Sequence, residues 1–177
     1  MAETWQRHAS RRAARICFFA LLSALCIGWT YARADFPVAD QVVVRKAERK
    51  LYLMRGEEVI GSYDVALGRN PHGPKEKEGD FRTPEGTYRL DWRNAYSAFY
   101  LAIHVSYPNS DDLSRARSRG VDPGGMIMIH GLPNDLKHNS VDYLRNDWTD
   151  GCIAVSNSAM IDIWLSVQDD TPITILP

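Results

Sequence analysis

Short β-rich segments, separated by polar turns at regular spacing, constrain the fold of this chain more than any other feature of its sequence. Val, Ile, Leu and Tyr dominate the segments, whereas Gly, Pro and charged residues fill the turns. The segments are residues 41–45, 50–54, 59–67, 87–92, 100–106, 126–130 and 171–176. Such a series with few helices predicts a single mainly β domain, a sandwich or a barrel, whose last segment is an edge strand.

Two helices and one long loop interrupt this pattern. Residues 111–119 start with two Asp, contain three Arg towards their end and precede Gly120, which is typical of a short surface helix. Apolar residues after position 158 recur at helical spacing, and Asn157 is the predicted N-cap of that helix. The Gly/Pro-rich segment 68–80 has no apolar face, so we expect it to form an exposed loop.

The N-terminus predicts export to the periplasm or cell envelope. Arg residues between positions 7 and 15 precede an uncharged apolar run of 14 residues, and Ala32-Arg33-Ala34 supplies the small residues that a signal peptidase reads. The run is shorter than the ~20 residues of a membrane-spanning helix, so residues 1–34 are predicted to be a signal peptide, cleaved before Asp35. The alternative is an uncleaved anchor, which would be the only link to the membrane and would also place residues 35–177 outside the cytoplasm.

The predicted mature chain, residues 35–177, has the size of one domain. It carries 16 Lys and Arg against 21 Asp and Glu. This negative balance argues against a nucleic-acid-binding protein, which needs a basic surface.

Cys152 is the one cysteine of the predicted mature chain, because Cys17 and Cys26 lie in the signal. Outside the cytoplasm a lone thiol is buried and inert, joined to another chain, or used for chemistry. Gly151 allows a tight turn that presents the thiol, and backbone N–H groups at such a turn stabilise a thiolate or an oxyanion. The local sequence therefore favours a nucleophile, with Gly151 as part of the oxyanion hole.

A nucleophilic cysteine needs a base within hydrogen-bond reach. His130 ends an apolar strand before Gly131, so its ring can project from the sheet edge into a cleft, and it is the predicted general base. His104 lies within a strand, where packing or support of the site is the more common use, and His72 and His138 lie in polar loops. One Cys with scattered His lacks the closely spaced ligand pairs of a zinc site, so no metal is predicted.

The order of these residues resembles the active-site motif of L,D-transpeptidase catalytic domains of the YkuD type. That motif is a His followed, after a variable spacer, by Ser/Thr-His-Gly-Cys, an aliphatic residue and a later Asn. Here it reads His130-Gly131, then Thr149-Asp150-Gly151-Cys152-Ile153, then Asn157. Residues 43–53, 65–68 and 83–88 are similar to the family's opening hairpin, glycine-ended strand and Thr-Pro-x-Gly turn, so the resemblance spans nearly all of residues 41–177.

The resemblance implies thioester chemistry, without a cofactor, on the stem peptides of peptidoglycan. Cys152 is then the nucleophile and His130 the general base and acid, with the Gly131 carbonyl orienting the imidazole. Six further residues are expected to line the substrate groove, although core packing is the more common use of aromatic side chains: Thr149, Asp150, Asn157, Trp92, Tyr96 and His104.

Two positions depart from the family pattern and leave three functions open. Asp150 stands where the motif has His, and Ala154 where an Arg often follows the aliphatic residue. The leading hypothesis is a transpeptidase, which passes the acyl group to an amine of a second stem peptide. The alternatives are an L,D-carboxypeptidase or amidase that passes it to water, and a non-enzymatic envelope-binding protein with an inert Cys152.

Overall fold

The computed structural model describes residues 36–137 and 139–177. The predicted signal peptide and His138 lie outside the described residues. No helix in the described part of the chain combines the length and the apolar character needed to cross a membrane.

Strands dominate the described residues, as the spacing of the β-rich segments predicts. The eight strands there are β1 (Gln41–Arg45), β2 (Lys50–Arg55), β3 (Glu58–Asp64), β4 (Gly86–Ser97), β5 (Tyr100–Val105), β6 (Met128–His130), β7 (Ile153–Ala154) and β8 (Thr171–Leu176). The three helices are α1 (Ser110–Arg119), α2 (Ser140–Arg145) and α3 (Asn157–Ser166). The predicted mainly β fold with a few short helices is confirmed.

All eight strands form one mixed sheet in the order β3-β2-β1-β8-β4-β5-β6-β7. β8 pairs in parallel with β1 and antiparallel with β4, so the prediction of an edge strand is wrong. Pro172 is tolerated at this central place because the pairing with β1 starts only at Ile173. β8 pairs with two strands that are distant in the sequence, so no local sequence pattern predicts its central position.

The segment after β3 closes the sheet towards a barrel. Ala66 exchanges backbone hydrogen bonds of 2.9 and 2.8 Å with Ala154 in β7. Arg69 N–H donates to Thr149 O at 3.0 Å, and Thr149 N–H donates to Leu67 O at 3.1 Å. Residues 66–69 therefore brace the chain on both sides of Cys152.

The core lies between one face of the sheet and α3. Fully buried side chains include Leu51, Leu53, Ile103, Ile129, Ile153, Met160, Ile163 and Ile173. At about 1.5–3 kcal/mol for each fully buried large aliphatic side chain, this cluster dominates the stability of the domain. The strands that carry the site residues are thus held by the core itself.

Both predicted helices form, with one error at a cap. α1 has a capping box built by Asn109 and Asp112 and ends at Gly120 in the left-handed conformation. The N-cap of α3 is Ser156, whose hydroxyl accepts from Ala159 N–H at 3.1 Å, and not Asn157. Both residue types cap helices well, so local sequence does not decide between them.

The segment 68–80 is mostly exposed, as its composition predicts, but it contains a buried charge. Lys75 is buried, and its ammonium group forms a 2.9 Å ion pair with Asp80. Asp80 also accepts backbone hydrogen bonds from Glu76, Lys77 and Arg82. These contacts give the loop an internal polar anchor, because a buried charge needs partners.

Candidate active site

Cys152 and His130 line one cavity of about 420 Å³ at the β6–β7 end of the sheet. Three Trp and Phe rings and two Met side chains are among its twelve lining residues, which suits a site that orients a substrate by a few polar groups. The lining residues are Trp92, Asn94, Ser97, Phe99, Ala102, Met126, Met128, His130, Trp148, Thr149, Asp150 and Cys152.

The turn before Cys152 depends on a glycine. Gly151 has φ +134°, and a Cβ atom at this position would lie 2.7 Å from Arg82 O. Thr149 Oγ1 donates to Cys152 O at 2.7 Å and accepts from Gly151 N–H at 3.2 Å. The backbone that presents the thiol is therefore fixed on both sides, and the Gly151 N–H already has a protein partner.

The surroundings of Cys152 favour the protonated thiol. Burial is the main cause that raises the pKa of this thiol, and the nearby Asp150 carboxylate raises it further. A backbone hydrogen bond from Met128 and the charge of Lys75 act in the opposite direction. The thiol Sγ lies 3.7 Å from Met126 O. Such a thiol needs a base to become a nucleophile.

His130 has the features of that base. Its side chain is buried, and Nδ1 lies 2.7 Å from Gly131 O. A carbonyl oxygen only accepts, so Nδ1 carries the proton and Nε2 keeps its lone pair. Burial lowers the pKa of His130, so the imidazole is neutral at pH 7. A neutral ring with a free Nε2 can accept a proton.

The strand register explains why these two residues meet. β6 and β7 are parallel, with Ile129 opposite Ile153 and His130 opposite Ala154. Because side chains alternate along strands, Cys152 lies on the same face as His130 and diagonal to it. Ala154 is fully buried opposite the base, which leaves no space there for the Arg of the family pattern.

Gly131 and Asn157 fix the turn after His130. Asn157 Oδ1 accepts from Leu132 N–H at 2.8 Å, and a Cβ atom at Gly131 would lie 2.6 Å from this oxygen. Asn157 therefore supports the His130 turn, away from the cavity wall where we predicted it.

Trp92, Thr149 and Asp150 line the cavity, whereas Tyr96 and His104 do not. Tyr96 is 98% exposed beyond the cavity, near the β4–β5 turn. His104 Nδ1 lies 2.7 Å from Asp91 Oδ1, and its ring stacks on Trp92 at 4.8 Å. His104 thus positions a wall residue.

Trp148 is a site residue that the sequence analysis missed. Its ring lies 5.7 Å from the ring of His130 and 5.9 Å from that of Phe99, and Phe99 lies 4.6 Å from His130. These two aromatic rings contribute to the burial that lowers the pKa of His130. The signal was present, since Trp148 directly precedes the Thr149 of the motif.

Within residues 36–137 and 139–177, no group of three or more His, Cys, Asp or Glu side chains is arranged to hold a metal ion. The arrangement in the cavity consists of a thiol and a neutral imidazole. The fold and the site together define a class, a mainly β domain with a Cys–His pair at the end of its sheet.

Comparison with known proteins gives the family of this domain. The YkuD family model, described as an L,D-transpeptidase catalytic domain, matches residues 39–175. The chain belongs to this family.

Individual relatives agree with that assignment. The Escherichia coli (strain K12) protein named Putative L,D-transpeptidase YafK is 35% identical over 100 residues, which cover 54% of this chain and 38% of the relative. The helical cell shape determining protein Pgp2 from Campylobacter jejuni has a TM-score of 0.59 and 28% identity, over 76% of this chain and 46% of that one. An L,D-transpeptidase from Mycobacterium smegmatis, with a TM-score of 0.51 and 14% identity over 77% of this chain and 58% of that one, shows the shared fold alone. The chain spans less than two thirds of each relative's own length.

Proposed function

We propose that this protein is an exported cysteine-dependent L,D-transpeptidase that remodels peptidoglycan through a thioester at Cys152. The observation that carries the proposal is the neutral His130, with Nδ1 bonded to Gly131 O, in the same cavity as Cys152. A buried structural cysteine would not need a base held in one tautomer beside an open cavity. This argues against a non-enzymatic envelope-binding protein.

The first half of the reaction forms the thioester. His130 Nε2 takes the thiol proton as Sγ of Cys152 attacks the carbonyl of the diamino acid at the third position of a stem tetrapeptide. The tetrahedral intermediate collapses, the terminal D-alanine leaves, and His130 returns the proton to its amine. Backbone N–H groups of Gly151 and Cys152 stabilise the oxyanion, a contribution of about 3 kcal/mol for each donor. The Gly151 N–H exchanges its 3.2 Å bond to Thr149 Oγ1 for this contact.

The second half resolves the thioester. An amine of a second stem peptide attacks the thioester carbonyl, His130 accepts the amine's proton and returns it to the departing Cys152 thiolate, and a peptide cross-link forms. If water replaces the amine, the protein is a carboxypeptidase. If Cys152 attacks a peptide that is linked to the wall and water resolves the thioester, the protein is an amidase. The apolar wall formed by Trp92, Phe99 and Trp148 supports transfer, because it restricts access of water to the thioester.

The site of action follows from the substrate. Peptidoglycan lies outside the cytoplasm, so we propose that residues 1–34 direct export to the periplasm. The structural likeness to Pgp2, a cell shape determining protein, supports a role in cell wall organisation and cell shape.

Product analysis of a purified stem tetrapeptide tests the proposal. The protein is incubated with the tetrapeptide, with and without an amine acceptor, and the products are separated by mass spectrometry. A cross-linked dimer with acceptor is the expected result, and Cys152→Ala abolishes it. A tripeptide alone, in equal yield with and without acceptor, would make the protein a carboxypeptidase. An unchanged tetrapeptide under all conditions would contradict the proposal.

A further inference from the structure

An ion pair stands at the mouth of the cavity, directly before the turn that presents Cys152. Asp150 lines the cavity, and its Oδ1 accepts from Arg69 Nη2 at 2.5 Å. The Arg69 and Asp150 side chains are 52% and 77% exposed. Asp150 is the one fully charged residue among the cavity-lining residues, since His130 is neutral.

Arg69 is held in place from two directions. Its backbone N–H donates to Thr149 O at 3.0 Å, which ties it to the segment of the nucleophile. Its guanidinium group lies over the Phe81 ring, 4.1 Å from the centroid. Phe81 O accepts from Asn70 N–H at 3.0 Å, which fixes the backbone of Phe81. The guanidinium is thus preorganised for a ligand at a fixed distance from the thiol.

Stability does not account for this pair. Exposed ion pairs contribute little to folding because water screens them and two long side chains lose freedom. Both groups keep hydrogen-bonding capacity beyond their one contact, because a guanidinium has five N–H donors and a carboxylate accepts several hydrogen bonds. The pair is therefore available to a ligand that carries both charges.

We propose that Arg69 and Asp150 together bind an α-amino-acid head group, the ammonium and carboxylate at the end of a diamino acid's side chain. The ligand's carboxylate lies on the guanidinium, where the planar donors match two oxygens, and its ammonium lies on Asp150. The Arg69–Asp150 pair and the head group each have zero net charge. Binding therefore replaces the ion pair between the two side chains by two ion pairs with the ligand. A side chain that ends in an ammonium alone would satisfy Asp150 and leave Arg69 without its partner. This inference rests on the proposed function, since it names the residue that the stem peptide presents.

Calorimetric binding to the Cys152→Ala protein tests the assignment without turnover. Two tetrapeptides are compared that differ only at the third residue, 2,6-diaminopimelate in one and lysine in the other. We expect about tenfold tighter binding of the diaminopimelate peptide, the effect of one charge-assisted contact. Arg69→Gln and Asp150→Asn, each in the same background, reduce this preference to less than about twofold. Arg45→Gln is the matched control, because Arg45 is also 52% exposed in an ion pair, with Glu48 in the β1–β2 turn; it keeps the preference.

Three results would overturn the assignment: equal binding of both peptides, a preference that persists in both variants, or a variant that weakens both peptides equally. Turnover of the same peptides by the protein with Cys152 intact separates this inference from the proposed function. A binding preference without turnover would contradict the proposed function and leave the head-group assignment intact. Turnover without a preference would contradict the head-group assignment alone.

Discussion

The imidazole of His130 is anchored by the backbone of the very next residue, with Nδ1 2.7 Å from Gly131 O. Because this contact lies within one turn, it fixes both the tautomer and the direction of Nε2 without another catalytic side chain. The geometry of the base is therefore a property of the turn at Gly131.

Gly131→Ala tests this dependence. An added Cβ atom would lie 2.6 Å from Asn157 Oδ1 and 2.9 Å from Tyr100 Cβ, so the turn must shift. A displacement of about 1 Å in a catalytic group costs on the order of 100-fold in rate, and we expect a loss of kcat of that size. Gly125→Ala is the control, because its Cβ atom would meet only Tyr107 O at 3.9 Å. Equal kcat values for the two variants would show that the Gly131 turn does not position the base.

The pH dependence of the reaction follows from the two pKa shifts. Burial lowers the pKa of His130 below its ordinary value of about 6.5, so the base stays unprotonated to lower pH than an exposed histidine. Burial raises the pKa of Cys152, so thiol and imidazole are both neutral at pH 7. We expect kcat/KM to fall on the acid side only below about pH 6.5. We expect the alkylation rate of Cys152 to rise only at pH values above the ordinary pKa of a free thiol, about 8.5. An alkylation rate that has already reached its plateau at pH 6 would instead indicate a thiolate–imidazolium pair.

Asp150→Asn changes the reactivity of the nucleophile in a defined direction. The Asp150 carboxylate raises the pKa of Cys152, so its removal lowers that pKa and increases the thiolate fraction at pH 7. We expect iodoacetamide to react roughly two to five times faster, the size of a partly screened charge effect. Asp64→Asn removes a 67% exposed carboxylate that is paired with Lys50 and does not line the cavity, and we expect it to leave the rate unchanged. A slower reaction of Asp150→Asn would mean that Asp150 helps to form the thiolate.

Asp147 anchors the start of the motif segment to the rest of the fold. Its carboxylate binds the Arg49 guanidinium, with N–O distances of 2.7 to 3.2 Å, and accepts from Leu67 N–H at 2.8 Å. Asp147→Ala leaves this backbone donor unpaired, at an expected cost of about 2 kcal/mol in the free energy of unfolding. Urea denaturation measures the effect. Asp142→Ala, in the exposed first turn of α2, is the control, and a similar loss in both variants would contradict the anchoring role.

Ala154→Arg restores the residue that the family pattern often has, and we expect it to destabilise this protein. Ala154 is fully buried opposite His130 and bonded to Ala66. A buried unpaired guanidinium costs several kcal/mol, so we expect a loss of at least about 3 kcal/mol. Thermal unfolding checks this, with Ala154→Ser as a small polar control. Unchanged stability of Ala154→Arg would show that this part of the sheet adapts to the larger residue.

The sequence predicts most strands and the motif, because alternation of apolar residues and the spacing around Cys152 are local signals. It does not predict the central place of β8 or the closure of the sheet through Ala66, which depend on pairings between distant segments. Lys75 illustrates the same limit, since its burial depends on Asp80 and on how the loop folds. The sequence singles out Asn157 but does not predict its role, because a helix cap and the support of a turn both use the side-chain oxygen of Asn.

The central claim is that Cys152 is an activated nucleophile, and intact-mass analysis after incubation with a carbapenem tests it most directly. The strained β-lactam acylates such a thiol, so we predict a stoichiometric adduct that is absent in Cys152→Ala and strongly reduced in His130→Ala. A folded protein that gains no mass, and whose thiol also resists iodoacetamide above about pH 8.5, would contradict the claim and make Cys152 a structural residue.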